Sequence, residues 1–194
     1  MEGEDAMPTP VSDDRLTYED FVRFPDDGFR HEIIDGVHYV TASPNLRHQQ
    51  LLGRLFYAIE TTLRAQPVGS VFLSPFDVVF TKWDVVEPDL LFVSSAQRHI
   101  LTKLNVQGAP DLVVEIFSPS TQKRDEQIKR QLFERAGVRE YWMVDPDRNV
   151  AHVCRRDDDG ALKSVGELSA AEAAILTTPL IPGLALSMAE LFAD

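Results

Sequence analysis

The stretch APDLVVEIFSPST, residues 109–121, is typical of a buried strand that leads into the start of a helix. Its apolar middle nevertheless contains a carboxylate, Glu115. Because side chains along a strand alternate between two faces, Glu115 is expected to share its face with Asp111, Val113 and Phe117. An unpaired carboxylate among apolar neighbours costs several kcal/mol. Glu115 is therefore expected to be paired with a base, neutralised by a bound cation, or placed at the wet end of the strand.

The residues that follow predict a strand, helix and strand around Glu115. The segment STQKRDEQIKRQLFERAG, residues 120–137, carries a helical apolar stripe, with Ser120 or Thr121 as candidate N-caps and Gly137 at the C-cap. REYWMVD, residues 139–145, predicts the next strand. This order favours a crossover between two parallel strands.

Weaker patterns predict the elements on either side of this unit. The earlier ones are a short helix at 17–24, a hairpin at 30–41 that turns at Asp35-Gly36, a helix from Pro44 ended by Pro67, and strands at 70–74, 76–81 and 89–93. The later ones are strands at 149–156 and 161–168 and a short helix at 187–193. The predicted fold is α/β, a mixed β-sheet flanked by helices with an N-terminal hairpin and a C-terminal antiparallel extension.

The length and composition predict one soluble domain. The chain has 194 residues, enough for a single hydrophobic core. Residues 1–14 contain five acidic residues and no lysine or arginine, which predicts a disordered tail, followed by a domain at 15–194. No apolar run reaches the roughly 18 residues of a membrane helix, and the acidic N-terminus is unlike a signal peptide. With Cys154 as the only cysteine, a cytoplasmic location is expected.

The charge balance limits how the protein could contact nucleic acid. The net charge is −12, which argues against a protein that passively coats a polyanion. Binding to nucleic acid would need a local basic surface or a bound cation. Basic residues concentrate in two places, the loop that contains Arg98, His99 and Lys103 and the helix at 120–137 with its exit. Such runs usually solvate a helix face, but they could also position a phosphate backbone.

Glu115 has candidate partners on neighbouring elements. Asp89 follows Pro88 at the opening of another predicted strand, where it can project past the end of the sheet. On the following helix, Asp125 and Lys129 are spaced i and i+4, and the Lys129 ammonium could reach back over the strand end. Two carboxylates and an ammonium are the minimal apparatus for metal-assisted phosphodiester hydrolysis, because carboxylates hold a hard dication and the cation polarises the phosphate.

Six stretches of the chain, taken in order, form a recognisable set: HEIIDG (31–36), SPNLRHQQLLGRL (43–55), SPFDVVF (74–80), VEPDLLFVS (86–94), GAPDLVVEIFSPST (108–121) and RDEQIKRQLFERAGVREYWMVDP (124–146). Together they resemble the Uma family of restriction endonucleases in the PD-(D/E)xK nuclease superfamily. The resemblance extends from about residue 16 to 190.

This resemblance implies a restriction-endonuclease-like core, a dimer and a divalent-metal nuclease site. By position, Pro88-Asp89 is the PD element and Glu115 is the acidic residue of the (D/E)xK element. Phe117 stands where the motif lysine is expected, so the resemblance implies that the lysine lies on the following helix, as Lys129 in preference to Lys123.

Supporting roles are expected for Glu32, His48 and Asp125. Glu32 and His48 fall where the family pattern also has polar residues, and Asp125 accompanies Lys129 on its helix.

The predicted function is a Mg²⁺- or Mn²⁺-dependent endonuclease, with Asp89 and Glu115 as metal ligands and Lys129 assisting the attacking water. The expected partner is nucleic acid, with DNA favoured over RNA, and the expected assembly is a homodimer. One alternative is a non-catalytic interaction or regulatory module that keeps the nuclease fold, in which Lys or Arg would pair with the two acids. Another is a metal-dependent hydrolase of small phosphoesters, which the acidic charge favours.

Overall fold

A computed structural model of the protein describes residues 15–118 and 122–193. The predicted tail, residues 1–14, and the candidate N-caps Ser120 and Thr121 lie outside the described residues. The division into a tail and a domain at 15–194 remains a prediction.

Helical segments separate groups of consecutive strands along the chain. The helical segments are α1 (Tyr18–Phe21), α2 (Leu46–Ala65), a 3₁₀ helix (Ser95–Ile100), α3 (Gln122–Arg124), a π-helical turn (Asp125–Lys129), α4 (Arg130–Ala136) and α5 (Met188–Leu191). The strands are β1 (Arg30–Ile34), β2 (Val37–Thr41), β3 (Gly69–Leu73), β4 (Val78–Thr81), β5 (Asp84–Val86), β6 (Leu90–Ser94), β7 (Val106–Gln107), β8 (Leu112–Ile116), β9 (Glu140–Asp145), β10 (Val150–Arg156), β11 (Leu162–Ser169), β12 (Ile175–Leu176) and β13 (Leu186–Ser187).

The strands form two larger sheets and a small two-stranded one. The six-stranded sheet has the order β11-β10-β9-β8-β6-β3, and the five-stranded sheet has the order β2-β1-β5-β4-β7. In the six-stranded sheet β8 and β9 are parallel, as predicted, while β9, β10 and β11 form the predicted antiparallel extension. The mixed sheets flanked by helices confirm the predicted α/β fold class.

The strand predicted at 76–81 was expected in one sheet with the neighbouring strands at 70–74 and 89–93. In the structure it is β4 and belongs to the five-stranded sheet. There β4 pairs with β5, a strand of three residues that the sequence analysis did not predict. The run DVV is too short to show a periodicity that would distinguish it from a loop.

Each face of the six-stranded sheet packs against a separate apolar cluster. On one face, Val114 and Leu90 contact the stripe of α2 that includes Leu55 and Ile59. On the other, Val113 and Phe117 pack with α4 and the five-stranded sheet. This alternation along β8 follows the predicted period of two, and it places Glu115 on the face that the five-stranded sheet covers.

Local turn chemistry fixes the hairpin that faces Glu115. Asp35 and Gly36 both have positive φ, 53° and 78°, as a two-residue type I′ turn requires. The turn sets the register of β1 and β2, in which Glu32 lies opposite Tyr39. Two caps of the predicted helices are also present, a Thr17–Asp20 capping box at α1 and Gly137 in the left-handed conformation after α4. The first helix is shorter than predicted, since it ends at Phe21 and not at Phe24.

None of the helices in the described part of the chain is both long enough and apolar enough to cross a membrane.

Two glycines provide a matched test of the packing. A Cβ at Gly69 in β3 would lie 2.4 Å from the Val93 carbonyl oxygen, whereas a Cβ at Gly53 in α2 would meet nothing within 4 Å. We expect Gly69→Ala to lower the free energy of unfolding by about 1–3 kcal/mol through overpacking. Gly53→Ala should raise it by about 0.5–1 kcal/mol, because alanine favours a helix interior. Urea denaturation of both variants measures this difference, and equal effects would contradict the packing described here.

Candidate active site

Asp89 and Glu115 lie side by side at one end of the six-stranded sheet. The antiparallel register of β6 and β8 pairs Leu90 with Val114, so Asp89, the residue before β6, follows on beside Glu115. Asp89 Oδ2 accepts a hydrogen bond of 2.7 Å from the Ile116 backbone N–H, which ties it to the end of β8. The two acids that the sequence analysis singled out therefore come together in space.

Lys129 completes the group by reaching back from the helix that follows β8. Its Nζ lies 2.7 Å from Glu115 Oε1 and 2.7 Å from Glu32 Oε1, and 3.8 Å from Asp125 Oδ1. The side chain is only 1% exposed. Lys123, the competing candidate, is exposed. At the position where the motif lysine was expected, Phe117 packs into the apolar cluster instead.

The segment that carries Lys129 is a π-helical turn, not the regular α-helix that the sequence predicted. Residues Asp125–Lys129 form this turn between α3 and α4, and both Asp125 and Lys129 are buried in it. Single π turns inside α-helices are rare and occur frequently at functional sites. The apolar periodicity of the segment does not reveal the turn, because the stripe at Leu132 and Phe133 belongs to α4 beyond it.

The hairpin strand β1 supplies two further members of the group, Arg30 and Glu32, from one face. The Arg30 guanidinium donates to Asp89 Oδ1 at 2.9 Å. Glu32 Oε1 accepts from the Glu87 backbone N–H at 3.1 Å, and its Oε2 lies 3.4 Å from the Arg124 guanidinium. Glu32 was predicted as a supporting residue; Arg30 was missed, because nothing in the sequence marks it. Arg124 was counted only within the basic run of the helix.

His48 lies in the first turns of α2, beside Asp89. Asn45 caps this helix by accepting from the His48 backbone N–H at 2.9 Å. The His48 ring is buried and its Nε2 lies 3.1 Å from Asp89 Oδ2. Because a carboxylate only accepts, Nε2 carries the proton and donates it to Asp89. The structure thus brings all six predicted residues, Asp89, Glu115, Lys129, Glu32, His48 and Asp125, into one cluster; their roles remain predictions.

A cavity of about 130 Å³ opens onto this cluster. Besides members of the cluster, its walls include the short polar side chains at the entrance to α2 and after β8, at Thr41, Ser43, Asn45 and Ser118. The cavity is the place where a small ionic ligand or one phosphate group could meet the buried charges.

The charges of the cluster do not balance. Four carboxylates, Glu32, Asp89, Glu115 and Asp125, face three permanent cations, Arg30, Arg124 and Lys129. Burial raises the pKa of Glu115, and repulsion from the other carboxylates adds to this rise, so that its pKa lies well above the usual range despite the nearby ammonium. An additional positive charge at this position would therefore be stabilised.

The pKa values of the neighbouring groups are shifted in the directions that favour their ionised forms. Burial alone would raise the pKa of Asp89, but the hydrogen bond from His48 and the Arg30 charge outweigh it and hold the pKa at about 2. Burial likewise opposes the ionised form of Glu32, yet Lys129 and Arg124 keep its pKa below the ordinary value. For Lys129, burial is outweighed by its carboxylate neighbours, which raise its pKa. Glu32 and Lys129 thus form the persistent ion pair.

Several other charged residues prove to be structural. Asp111 is buried, accepts from the Ser94 backbone N–H at 2.8 Å and pairs with Arg139 at 3.1 Å. Arg135 pairs with Asp35 and Asp84, 2.7 and 2.8 Å away. These pairings give part of the basic run that follows β8 partners within the protein, away from Glu115.

The matching family model covers residues 18–189 and is described as "Putative restriction endonuclease", the Uma2 family. The chain belongs to the Uma2 family. A search of curated proteins gave no match.

One solved structure confirms the fold of this Uma2 member. A "putative nuclease belonging to DUF820" from Anabaena variabilis ATCC 29413 matches with a TM-score of 0.77 and 20% sequence identity, over 92% of this chain and 98% of its own. The type IIG restriction endonuclease BpuSI matches with a TM-score of 0.40 and 12% identity, over 75% of this chain and 15% of its own. This second overlap is too weak to support a conclusion.

The raised pKa of Glu115 makes a prediction about stability and pH in the absence of divalent metal. Below the unfolded-state pKa of about 4.5 the group is protonated in both states. As the pH rises, the unfolded chain releases this proton first, so the stability that Glu115 contributes is lost as the pH rises toward its folded pKa. We expect Glu115→Gln to gain free energy of unfolding relative to the native chain as the pH rises from 4.5 to 8, as measured by urea denaturation with a chelator.

Asp20→Asn is the control for this measurement. Hydrogen bonds from Thr17 hold the pKa of Asp20 below its ordinary value, so its carboxylate is ionised in both states above about pH 5. Asp20 lies on α1, so the difference between Asp20→Asn and the native chain should stay constant between pH 5 and 8. A constant difference for Glu115→Gln as well would contradict the raised pKa.

Proposed function

We propose that the protein is a divalent-metal-dependent nuclease that hydrolyses phosphodiester bonds, with Asp89 and Glu115 as metal ligands and Lys129 as the assisting cation. The supporting observation is the convergence of the two acids at adjacent strand ends, with the Lys129 ammonium 2.7 Å from Glu115. The Uma2 membership supports a nuclease, and Mg²⁺ or Mn²⁺ is the proposed ion because the donors are hard oxygens.

The donor atoms that are present suit such an ion. Glu115 Oε1 accepts from Lys129 and Asp89 Oδ1 from Arg30, and an ionised carboxylate has acceptor positions beyond one such bond. Within residues 15–118 and 122–193, no three His, Cys, Asp or Glu side chains are arranged to hold a metal ion. Mg²⁺ tolerates such a sparse site, since it keeps several water ligands and commonly takes only one or two protein carboxylates.

Each side chain then has a part in hydrolysis. When bound, the dication lowers the pKa of a coordinated water and polarises the phosphate. Lys129 would orient the attacking water or stabilise negative charge that develops on the phosphoryl oxygens. Arg30 and Arg124 line the cavity and would bind the phosphate backbone. Their positive charges would offset locally the repulsion between a polyanion and a protein of net charge −12. DNA is the proposed substrate.

One observation favours the second candidate, a non-catalytic module that keeps the fold. Asp89 is already paired with Arg30 and His48, and Glu115 with Lys129, as that interpretation expects. The two candidates differ in their response to metal. A nuclease should be stabilised by Mn²⁺ and inactive without it, whereas a module held by internal ion pairs should be indifferent to it.

The direct test is incubation with supercoiled plasmid and linear single-stranded DNA, with and without Mn²⁺. We expect cleavage only with the metal, and none with Glu115→Gln. Cleavage of a small phosphodiester but of neither polymer would support a phosphoesterase, and no metal binding would support the module.

Two lysines on the same helical segment allow a specific catalytic role of Lys129 to be distinguished from an effect of overall charge. We expect Lys129→Met to reduce the cleavage rate by about 10²–10³-fold, the range found when one group that stabilises transition-state charge is removed. Lys123→Met removes an exposed ammonium six residues earlier and should leave the rate within about threefold of the native value. Equal losses in both variants would indicate that Lys129 acts only through overall charge.

A further inference from the structure

We propose that Glu32 is a positioning residue for Lys129, fixing the direction of its ammonium so that the lysine can act from the π-helical turn. This inference rests on the proposed nuclease function and concerns how the displaced lysine is held. In the (D/E)xK arrangement the lysine is placed by the strand itself. Here Phe117 occupies that strand position, and the helical lysine needs a different anchor.

The anchor is visible in the geometry of the ammonium. Lys129 has three N–H donors; one bonds to Glu115 Oε1 at 2.7 Å, and Glu32 Oε1 forms an ion pair with the ammonium at the same distance. Asp125 Oδ1, at 3.8 Å, is beyond hydrogen-bond distance. Contacts with two separate carboxylates restrict the rotation of the ammonium and so limit the direction of its remaining N–H. Lys129 lines the cavity, where this donor can meet a water or a phosphate oxygen.

Glu32 is itself held rigidly enough to serve as an anchor. Its side chain is 0% exposed, and it lies on β1 between the buried residues His31 and Ile33. The Glu87 backbone N–H fixes Oε1, and Arg124 lies against Oε2. Because β1 belongs to the five-stranded sheet and Glu115 to the six-stranded sheet, the ammonium is held between two sheets.

A single carboxylate partner would leave the Lys129 ammonium more freedom to rotate. With Glu115 alone, the ammonium could turn about one hydrogen bond, and a bound dication would compete with Lys129 for the same carboxylate. Glu32 gives Lys129 a partner that the ion does not share. Lys129 can then stay in place when Glu115 binds the metal.

Kinetics of Glu32→Gln, in the full chain with Mn²⁺, test this role. The amide keeps the size of the side chain and an oxygen that can accept from Lys129, but it removes the charge. We expect kcat to fall about 10–100-fold with KM and the Mn²⁺ dissociation constant within about threefold of native, since misplacing one catalytic group mainly raises the barrier. Glu32→Ala should lose more; if it fails to fold, Glu32→Gln still decides the question.

Asp111→Asn is the matched control. Asp111 is also a buried carboxylate that accepts one backbone N–H and pairs with one base, but it pairs with Arg139 and does not contact the cluster. The Asp111→Asn variant should have a lower free energy of unfolding than the native chain but the same kcat. If Glu32→Gln loses no more kcat than Asp111→Asn, Glu32 is merely structural and the inference is overturned.

A second readout does not depend on nuclease activity. The rate at which acetic anhydride modifies Lys129, followed by peptide mass spectrometry, reports how firmly its ammonium is held. We expect Glu32→Gln to raise this rate at least tenfold, with Lys123 unchanged and with Asp111→Asn at the native rate. An unchanged rate at Lys129 would overturn the inference even if the chain cleaves DNA. An inactive native protein with the expected labelling would instead overturn the nuclease function alone.

Discussion

The burial of one ammonium constrains the architecture around the cavity. Lys129 is removed from water, and an isolated charge in such a place would be too costly to keep. It is stable because carboxylate oxygens of Glu32 and Glu115 each lie 2.7 Å from it. Those two acids come from different sheets, so the ion cluster also fixes how the hairpin approaches the end of β8. The π-helical turn is consistent with this constraint, since it places Lys129 within reach of both acids.

The same cluster links the structural and the catalytic interpretation. Buried ion pairs are weak evidence for stability, because desolvation offsets much of their attraction. Four carboxylates against three permanent cations leave an excess of negative charge, and the raised pKa of Glu115 reflects it. A module that needed only stability would be better served by a balanced or apolar cluster. An excess that a dication could neutralise is consistent with the proposed metal site, and the ion together with the two arginines would then let an acidic protein approach a polyanion.

Much of the fold was predictable from the sequence, while the details of the site were only partly so. The period of two along β8 correctly separated Val113 and Val114 onto opposite faces, and Asp35-Gly36 correctly marked the hairpin. The approach of Asp89, Glu115 and Lys129 was also anticipated, because a buried carboxylate must find a partner. Arg30 and the π-helical turn were not. The position of Arg30 depends on which strand of the five-stranded sheet lies opposite Asp89. The π-helical turn breaks the periodicity by which helices are recognised in sequence.

The central claim is that Asp89 and Glu115 hold a doubly charged ion beside Lys129. The most direct measurement is the anomalous difference density of crystals soaked in MnCl₂. We predict a peak within about 2.0–2.4 Å of carboxylate oxygens of both Asp89 and Glu115, with the Lys129 ammonium still paired with Glu32. Crystals that diffract well, with no peak between these two acids at millimolar Mn²⁺ and their bonds to Arg30 and Lys129 intact, would contradict it.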